Sequence, residues 1–259
     1  MRLTFLGTGT SFGVPQVGCH CRTCTSSDPR DRRTRTAVLL AEGERRLLID
    51  TPPELRLQLV AADVDRVDAV LYTHGHADHV HGIADLGAFS MRQGGLAVYG
   101  PAETMAELGA KFPYVFDNTR PPRPGTSKPE LTAHALEPGR EHDIAGFPVL
   151  PLALPHGDEW VFGYRIGPLA YLTDVKSIPA DAAARLAGLD VLVLNALLSR
   201  PHPLHLSVPE AAAAAVVLGA RRTFLTHLTH ERPHAELAAA LPPGVAPAHD
   251  GLVIEVGAP

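Results

Sequence analysis

Four side chains able to bind metal fall within six residues at His74-Gly75-His76-Ala77-Asp78-His79. Imidazole nitrogens and a carboxylate in this pattern suit zinc, manganese or iron. A tight loop can turn alternate side chains to one ion and the Asp-His pair to another, so the segment points to two divalent ions, Mn or Zn. A second cluster, Cys19-His20-Cys21-Arg22-Thr23-Cys24, holds all three cysteines of the chain. An odd number so closely spaced is a poor disulfide framework and a good metal knuckle. Thiolates at this spacing can wrap one structural zinc, which wants four tetrahedral ligands. The fourth must come from elsewhere. His20 is poorly placed between two thiolates, and a more distant His would staple the loop to the domain.

Such residues need rigid elements behind them. His74, Asp174 and His227 each follow an apolar stretch, in LYTH, YLTD and FLTH. Patterning predicts strands over 2–7, 36–41, 45–50 and 68–73, and one ending at 98–100. Further strands are expected over 131–136, 147–154, 160–166, 169–173, 191–194 and 223–226. Helices are expected after Pro52-Pro53 and over 80–91, 179–187 and 209–218. Strands carried into helices, with ligand-type residues just past strand ends, describe an α/β protein whose site lies at the carboxyl ends of its strands. Residues 8–35 form a long loop holding the cysteines, and the Pro-rich stretch 112–130 reads as an ordered excursion or lid. The whole chain, 1–259, reads as a single domain.

The composition sets the bounds. With 45% apolar residues over 259 positions, a substantial core can be buried. The 24 Pro and 23 Gly imply many tight turns and argue against a helical bundle. Aromatics at 5% disfavour a stacking platform for single-stranded nucleic acid, and a net charge of −5 disfavours a generally basic nucleic-acid binder. No stretch approaches the length of a transmembrane helix. MRLTFLGTG has no signal-peptide architecture, and the cysteine usage fits a reducing, cytoplasmic setting. Arg30, Arg32, Arg33 and Arg35 form one basic cluster that either meets a phosphate, ribose or RNA, or pairs with Asp28 and Asp31 in a solvated loop.

The His-x-His-x-Asp-His segment after a strand resembles the metallo-β-lactamase superfamily signature. The resemblance implies a four-layer αββα sandwich with a dinuclear site at its edge. It implies that His74, His76 and His156 (in LPHGD) hold one metal, that Asp78, His79 and His227 hold the second, and that Asp174 bridges both. The opening LGTGTSFGVPQVGCHCRTC, the RRTRT segment and the FLTHLTH ending resemble the PhnP branch, over nearly the whole chain. That branch contains phosphodiesterases that open cyclic phosphates, phosphoribosyl 1,2-cyclic phosphate among them. It implies His230 as the fourth structural zinc ligand beside Cys19, Cys21 and Cys24, and a homodimer is common among such relatives.

Two metals sharing a bridging hydroxide near neutral pH would attack phosphorus and neutralise the phosphoryl oxygens. Asp78 would also orient the nucleophile. Asp50, at the end of its own strand, is a candidate to fix a histidine tautomer. His205, in PHPLHLSVPEA, matches the branch's active-site His, whose role is phosphate contact or general acid. His202 lies nearby but off the motif; His20, His81 and His234 carry the plainer reading of surface or structural residues. The run Phe112, Tyr114, Phe116 is expected to pack the excursion. The expected substrate is a small phosphodiester, with neither nucleic acid nor membrane as partner. The alternatives are a tRNase Z-like RNA-processing hydrolase, a thioesterase or lactamase-type hydrolase acting on a carbonyl, and a PqqB-like non-catalytic carrier.

Overall fold

The structure is a computed structural model and describes residues 1–119 and 121–257. Its strands pair into two seven-stranded sheets. In the first, β1 (Arg2–Gly7), β2 (Ala37–Glu42) and β3 (Arg45–Ile49) run antiparallel, and β4 (Ala69–Leu71), β5 (Leu96–Gly100) and β6 (Leu131–Ala135) continue parallel to β3. In the second, β7 (His142–Ile144), β8 (Phe147–His156), β9 (Glu159–Ile166) and β10 (Leu169–Leu172) are antiparallel. There β11 (Val191–Asn195), β12 (Arg222–Thr226) and β13 (Val245–Pro247) continue parallel. The last strand, β14 (Val253–Glu255), returns to pair with β1 in the first sheet.

The layering follows from strand periodicity. Alternate residues of the first sheet, Leu3, Phe5, Val38, Leu40, Leu47 and Ile49, face Val149, Phe162, Tyr164, Tyr171, Val191 and Val193 of the second. The intervening residues Leu39, Leu48, Val70 and Val98 face outward and are covered by Leu55 and Leu59 of α1 (Leu55–Ala61). Phe89 of α3 (Gly87–Gln93), and Met105 and Leu108 of α4 (Ala102–Lys111), complete that layer. On the far side, Leu192, Leu194 and Leu225 meet Ala182 of α6 (Ala180–Ala184), Ala211 and Ala215 of α7 (Val208–Leu218), and Leu237 of α8 (His234–Ala240). The result is the αββα sandwich. Central strands buried on both faces read as unbroken apolar runs such as Val191-Leu192-Val193-Leu194.

Several elements depart from the expectations. The helix expected over 80–91 is three short pieces: α2 (Ala77–Val80), a 3₁₀ turn at Ile83–Leu86, and α3. Gly82 divides them because its amide donates to Thr51 O at 2.8 Å, and this pins the segment to the end of β3. In the excursion, α5 (Pro113–Phe116) docks Phe112 and Phe116 against the core, while Tyr114 is exposed. Arg120, in the same excursion, lies outside the described residues. The helix opened by Pro209 starts one residue earlier: Ser207 and Glu210 form a capping box and Gly219 ends α7 in the left-handed conformation. No described helix is long and apolar enough to cross a membrane.

The Gly82 position yields a stability prediction. A Cβ there would collide with the Pro52 carbonyl oxygen and come within 2.9 Å of Leu55 Cβ. Gly82→Ala should cost about 1–3 kcal/mol, a fall in Tm of roughly 2–4 °C per kcal/mol for a chain of this size, read by thermal denaturation.

Candidate metal centre

The candidate ligands sit where the two sheets open at one edge. Asp50 follows β3, His74 follows β4 by way of Thr73, Asp174 follows β10 by way of Thr173, and His227 follows β12. His156 ends β8, and α2 carries Asp78 and His79. Asp50, Asp174 and His227 all adopt positive φ, at 65°, 59° and 58°. Non-glycine residues rarely do so, and such strain concentrates at functional sites. Here it turns three side chains from the strand direction into one pocket.

Ligand-type atoms gather there in overlapping sets: His74, His76 and His156; His74, His79 and Asp174; Asp78, His79 and His227; and His156, Asp174 and His205. Within each set they lie within 4.8 Å of one another. Asp174 stands in the middle. Its Oδ1 is 3.5 Å from His79 Nε2 and 3.4 Å from His227 Nε2. Its Oδ2 is 3.9 Å from His74 Nε2 and 3.8 Å from His205 Nδ1. Asp78 Oδ2 reaches the second group, 3.4 Å from His79 Nε2 and 3.6 Å from His227 Nε2.

The outer partners fix which nitrogen faces inward. His79 Nδ1 lies 2.7 Å from Asp50 Oδ2. His156 Nδ1 lies 3.1 Å from the Leu204 carbonyl, and His74 Nδ1 lies 2.9 Å from Thr73 Oγ1. Thr73 in turn donates its amide and hydroxyl to Asp50. A carboxylate or carbonyl on one ring nitrogen leaves the other as a ligand. His79 Nε2 and both ring nitrogens of His227 are buried without any hydrogen-bond partner. Buried polar atoms are seldom left so. The donor set of nitrogen and carboxylate oxygen therefore fits divalent cations.

The charges agree. Burial opposes charge on Asp174, yet the neighbouring imidazoles, His227 and His79 foremost, outweigh it and hold the carboxyl well below the usual range. Burial likewise opposes charge on Asp78, and His79 and His227 overcome it. Burial, then His79, pushes His74 far down, so its ring is neutral and its lone pair free for a metal. His205 is only 8% exposed, with ring centroids 4.8 Å from His156 and 5.0 Å from His227. It is held by its neighbour, since Leu206 N donates to Val175 O, next to Asp174, at 2.9 Å. A solvated loop histidine is thus not what the structure places there. Burial pulls His205 down to about 3, against Asp174.

The cysteine knuckle assembles separately. Cys19, Cys21, Cys24 and His230 form one set, with His230 Nδ1 3.3 Å from both Cys19 Sγ and Cys21 Sγ; His20 is not in it. The Cys24 amide and His230 pull Cys21 down to about 6, toward the thiolate a zinc ion needs. His230 lies three residues beyond His227, and Leu228 between them pairs with Thr8 and Thr10 of the knuckle loop. One turn of chain thus joins the two centres.

Three of the four arginines of the cluster have partners within the fold, and Arg32 is exposed. Arg30 pairs with Asp28 at 2.7 Å and Arg35 pairs with Glu54. Arg33 departs from the solvated-loop expectation. It is 4% exposed and donates to Thr8 Oγ1 and the Ala248 carbonyl, with Nη2 3.2 Å from His234 Nδ1. His234 is buried too, and His81 packs edge-on to Phe112. Two contacts escape sequence reasoning: Thr73, and Glu159, whose Oε2 is 3.4 Å from His76 Nε2. Thr73 is visible in LYTH only as a strand residue, and nothing in Glu159's surroundings marks it.

Among known proteins, a family model described as the beta-lactamase superfamily domain matches residues 45–228. The chain belongs to the β-lactamase superfamily. A solved structure of a new diphosphatase from the PhnP family is 37% identical, with a TM-score of 0.91 over 99% of this chain and 98% of that one, which places the chain in the PhnP-like branch. Zn(2+)-bound PqqB from Methylobacterium extorquens shares the fold at 20% identity and a TM-score of 0.81, covering 98% of this chain and all of that one. An octanoyltransferase of Porphyromonas gingivalis is 40% identical over 97% of this chain, which spans about half (51%) of that relative's length. The fold and the diphosphatase neighbour mark a hydrolase architecture.

Two predictions follow from these contacts. Asn tolerates the left-handed conformation of position 50 but removes the carboxylate from His79. Asp50→Asn should leave the circular dichroism unchanged and weaken metal retention about 10- to 100-fold in a chelator competition. The second concerns pH. Burial, then Arg33 and Arg30, pulls His234 down to about 4, whereas in the unfolded chain it protonates near ~6.5. The unfolded state therefore binds the proton first as pH falls, and the contribution of the neutral ring, full above pH ~6.5, is lost toward pH ~4. Over that window the Tm of wild type should fall more steeply than that of His234→Asn.

Proposed function

We propose that the protein is a metal-dependent hydrolase that opens small cyclic phosphodiesters of the phosphoribosyl 1,2-cyclic phosphate type. The observation that supports this best is the double-sided placement of Asp174, one oxygen toward His79 and His227 and the other toward His74 and His205. A carboxylate so placed suits two cations side by side. His74, His76, His156 and Asp174 would hold one divalent ion, Zn or Mn, and Asp78, His79, His227 and Asp174 the other. When bound, such a pair supplies Lewis acidity and an activated water.

The chain's own residues do the remainder. Asp78 lies between His79 and His227 with its side chain only 14% exposed, placed to accept a hydrogen bond from the attacking water and fix its direction. His205 adjoins Asp174 Oδ2 and His156, and offers its ring to a phosphoryl oxygen or to the leaving alkoxide. Asp50 keeps His79 in one tautomer. The knuckle would hold a structural zinc through Cys19, Cys21, Cys24 and His230 and so brace the wall that carries His227.

A second reading is a phosphoanhydride substrate, favoured by the 37% identical diphosphatase of the PhnP family. Both reactions attack phosphorus and differ in the leaving group, an alkoxide in one and a phosphate in the other. An RNA-processing role would call for a strongly basic face, and three of the four arginines of the one basic cluster, Arg30, Arg33 and Arg35, are engaged within the fold instead. A carrier would need no such full set of seven converging ligands.

A panel of phosphoribosyl 1,2-cyclic phosphate, 2′,3′-cyclic nucleotides, dinucleoside diphosphates and pre-tRNA tests the reading, the first being hydrolysed best. His205→Ala should keep its full metal content while losing on the order of 100-fold in kcat. Wild-type kcat in that variant removes the role assigned to His205.

A further inference from the structure

This inference rests on the two-ion reading of the site and concerns how the ligands of one ion are held. In the set His74, His76 and His156, two rings have anchors inside the fold. His74 Nδ1 lies 2.9 Å from Thr73 Oγ1, and His156 Nδ1 lies 3.1 Å from the Leu204 carbonyl. His76 differs. It precedes α2 in an extended conformation, and its side chain is 46% exposed against 5% for His74. Its Nδ1 faces inward, 3.0 Å from His74 Nε2. Its Nε2 lies 3.4 Å from the carboxylate of Glu159.

The β8–β9 hairpin explains why Glu159 stands there. His156 ends β8, Glu159 begins β9, and the two pair across the Gly157-Asp158 turn, with Gly157 at a φ of 65°. Directly paired residues of a hairpin project from one face, so Glu159 shares the face of His156, whose ring centroid is 5.3 Å from that of His76. The turn lies against Leu204, whose side chain a Cβ on Gly157 would meet. Among the described residues the Glu159 carboxylate has no other charged partner, and an ion pair as exposed as this one adds little to stability. A carboxylate on the outer nitrogen of a metal-type histidine has a different use. It favours the proton on Nε2 and leaves the Nδ1 lone pair turned inward. The neighbouring ion set has a buried counterpart in Asp50, which contacts His79 Nδ1.

We infer that Glu159 is a positioning residue that holds His76 in its ligating orientation. It thereby sets the affinity of the ion bound by His74, His76 and His156, and not that of the ion bound by Asp78, His79 and His227.

A chelator titration of the zinc-loaded protein tests this, with each ion followed through the imidazole N–H signals of its own histidines in nitrogen-15 NMR spectra. In Glu159→Ala the ion followed through His74, His76 and His156 should be lost at about tenfold lower chelator concentration than in wild type, the lower end of the range for outer partners of metal ligands. The ion followed through His79 and His227 should be lost at the wild-type concentration. Glu159→Gln, which keeps an acceptor oxygen without the charge, should fall between. The Nε2–H signal of His76 should be protected from exchange with water in wild type and exchange faster in Glu159→Ala. Loss of both ions at wild-type concentrations in Glu159→Ala, or equal weakening of the two, overturns the inference and leaves the two-ion reading standing. A wild type that takes up fewer than two zinc ions at this site overturns the two-ion reading itself, and the inference with it.

Discussion

The carboxylate of Asp174, 2% exposed and enclosed by the imidazoles of His74, His79, His205 and His227, sets the terms for the rest of the molecule. Removing a charge from water costs several kcal/mol unless opposite charge accompanies it. His74 and His205, which burial drives toward the neutral form, supply lone pairs rather than charge. Cations placed between the imidazoles would satisfy the nitrogens of His79 and His227 and neutralise the oxygens. The backbone strain at Asp50, Asp174 and His227 is the conformational cost of that convergence, and the two packed sheets hold it in place.

The sandwich explains why convergence happens at one edge. Each sheet joins an antiparallel half to a parallel half, and the parallel halves put several carboxyl ends side by side. The sheets are tied near that edge, where Tyr164 Oη donates to the Tyr72 carbonyl at 2.6 Å and Phe162 N reaches Thr73. The cysteine knuckle adds a second tie from outside, because His230 belongs to the same short segment as His227. Buried Arg33 anchors the loop between the knuckle and β2 through Thr8 and Ala248.

Much of this is legible in the sequence because metal sites demand specific residue types at strand ends. The segment from His74 to His79, Asp174 after YLT and His227 after FLT stand out by chemistry and by position together, and resemblance adds His156, His205 and His230. Local pattern is weaker where tertiary contacts decide. Strands β7, β13 and β14, three residues each, are too short to show alternation and lack the longer apolar run that marks the equally short β4. The 80–91 helix breaks because Gly82 bonds to Thr51 across the fold, which no local pattern records. Arg33 looks like its solvated neighbours, and only the packed structure reveals the acceptors that allow it to be buried. Glu159 meets His76 and Thr73 bonds Asp50, contacts between residues distant in sequence that their types do not signal.

The central claim is that the seven residues form one centre for a pair of ions bridged by Asp174. Anomalous diffraction from crystals grown with manganese tests it most directly. Two neighbouring peaks are expected, one ligated by His74, His76, His156 and Asp174, the other by Asp78, His79, His227 and Asp174. A single peak there, or two peaks that Asp174 does not link, contradicts the account.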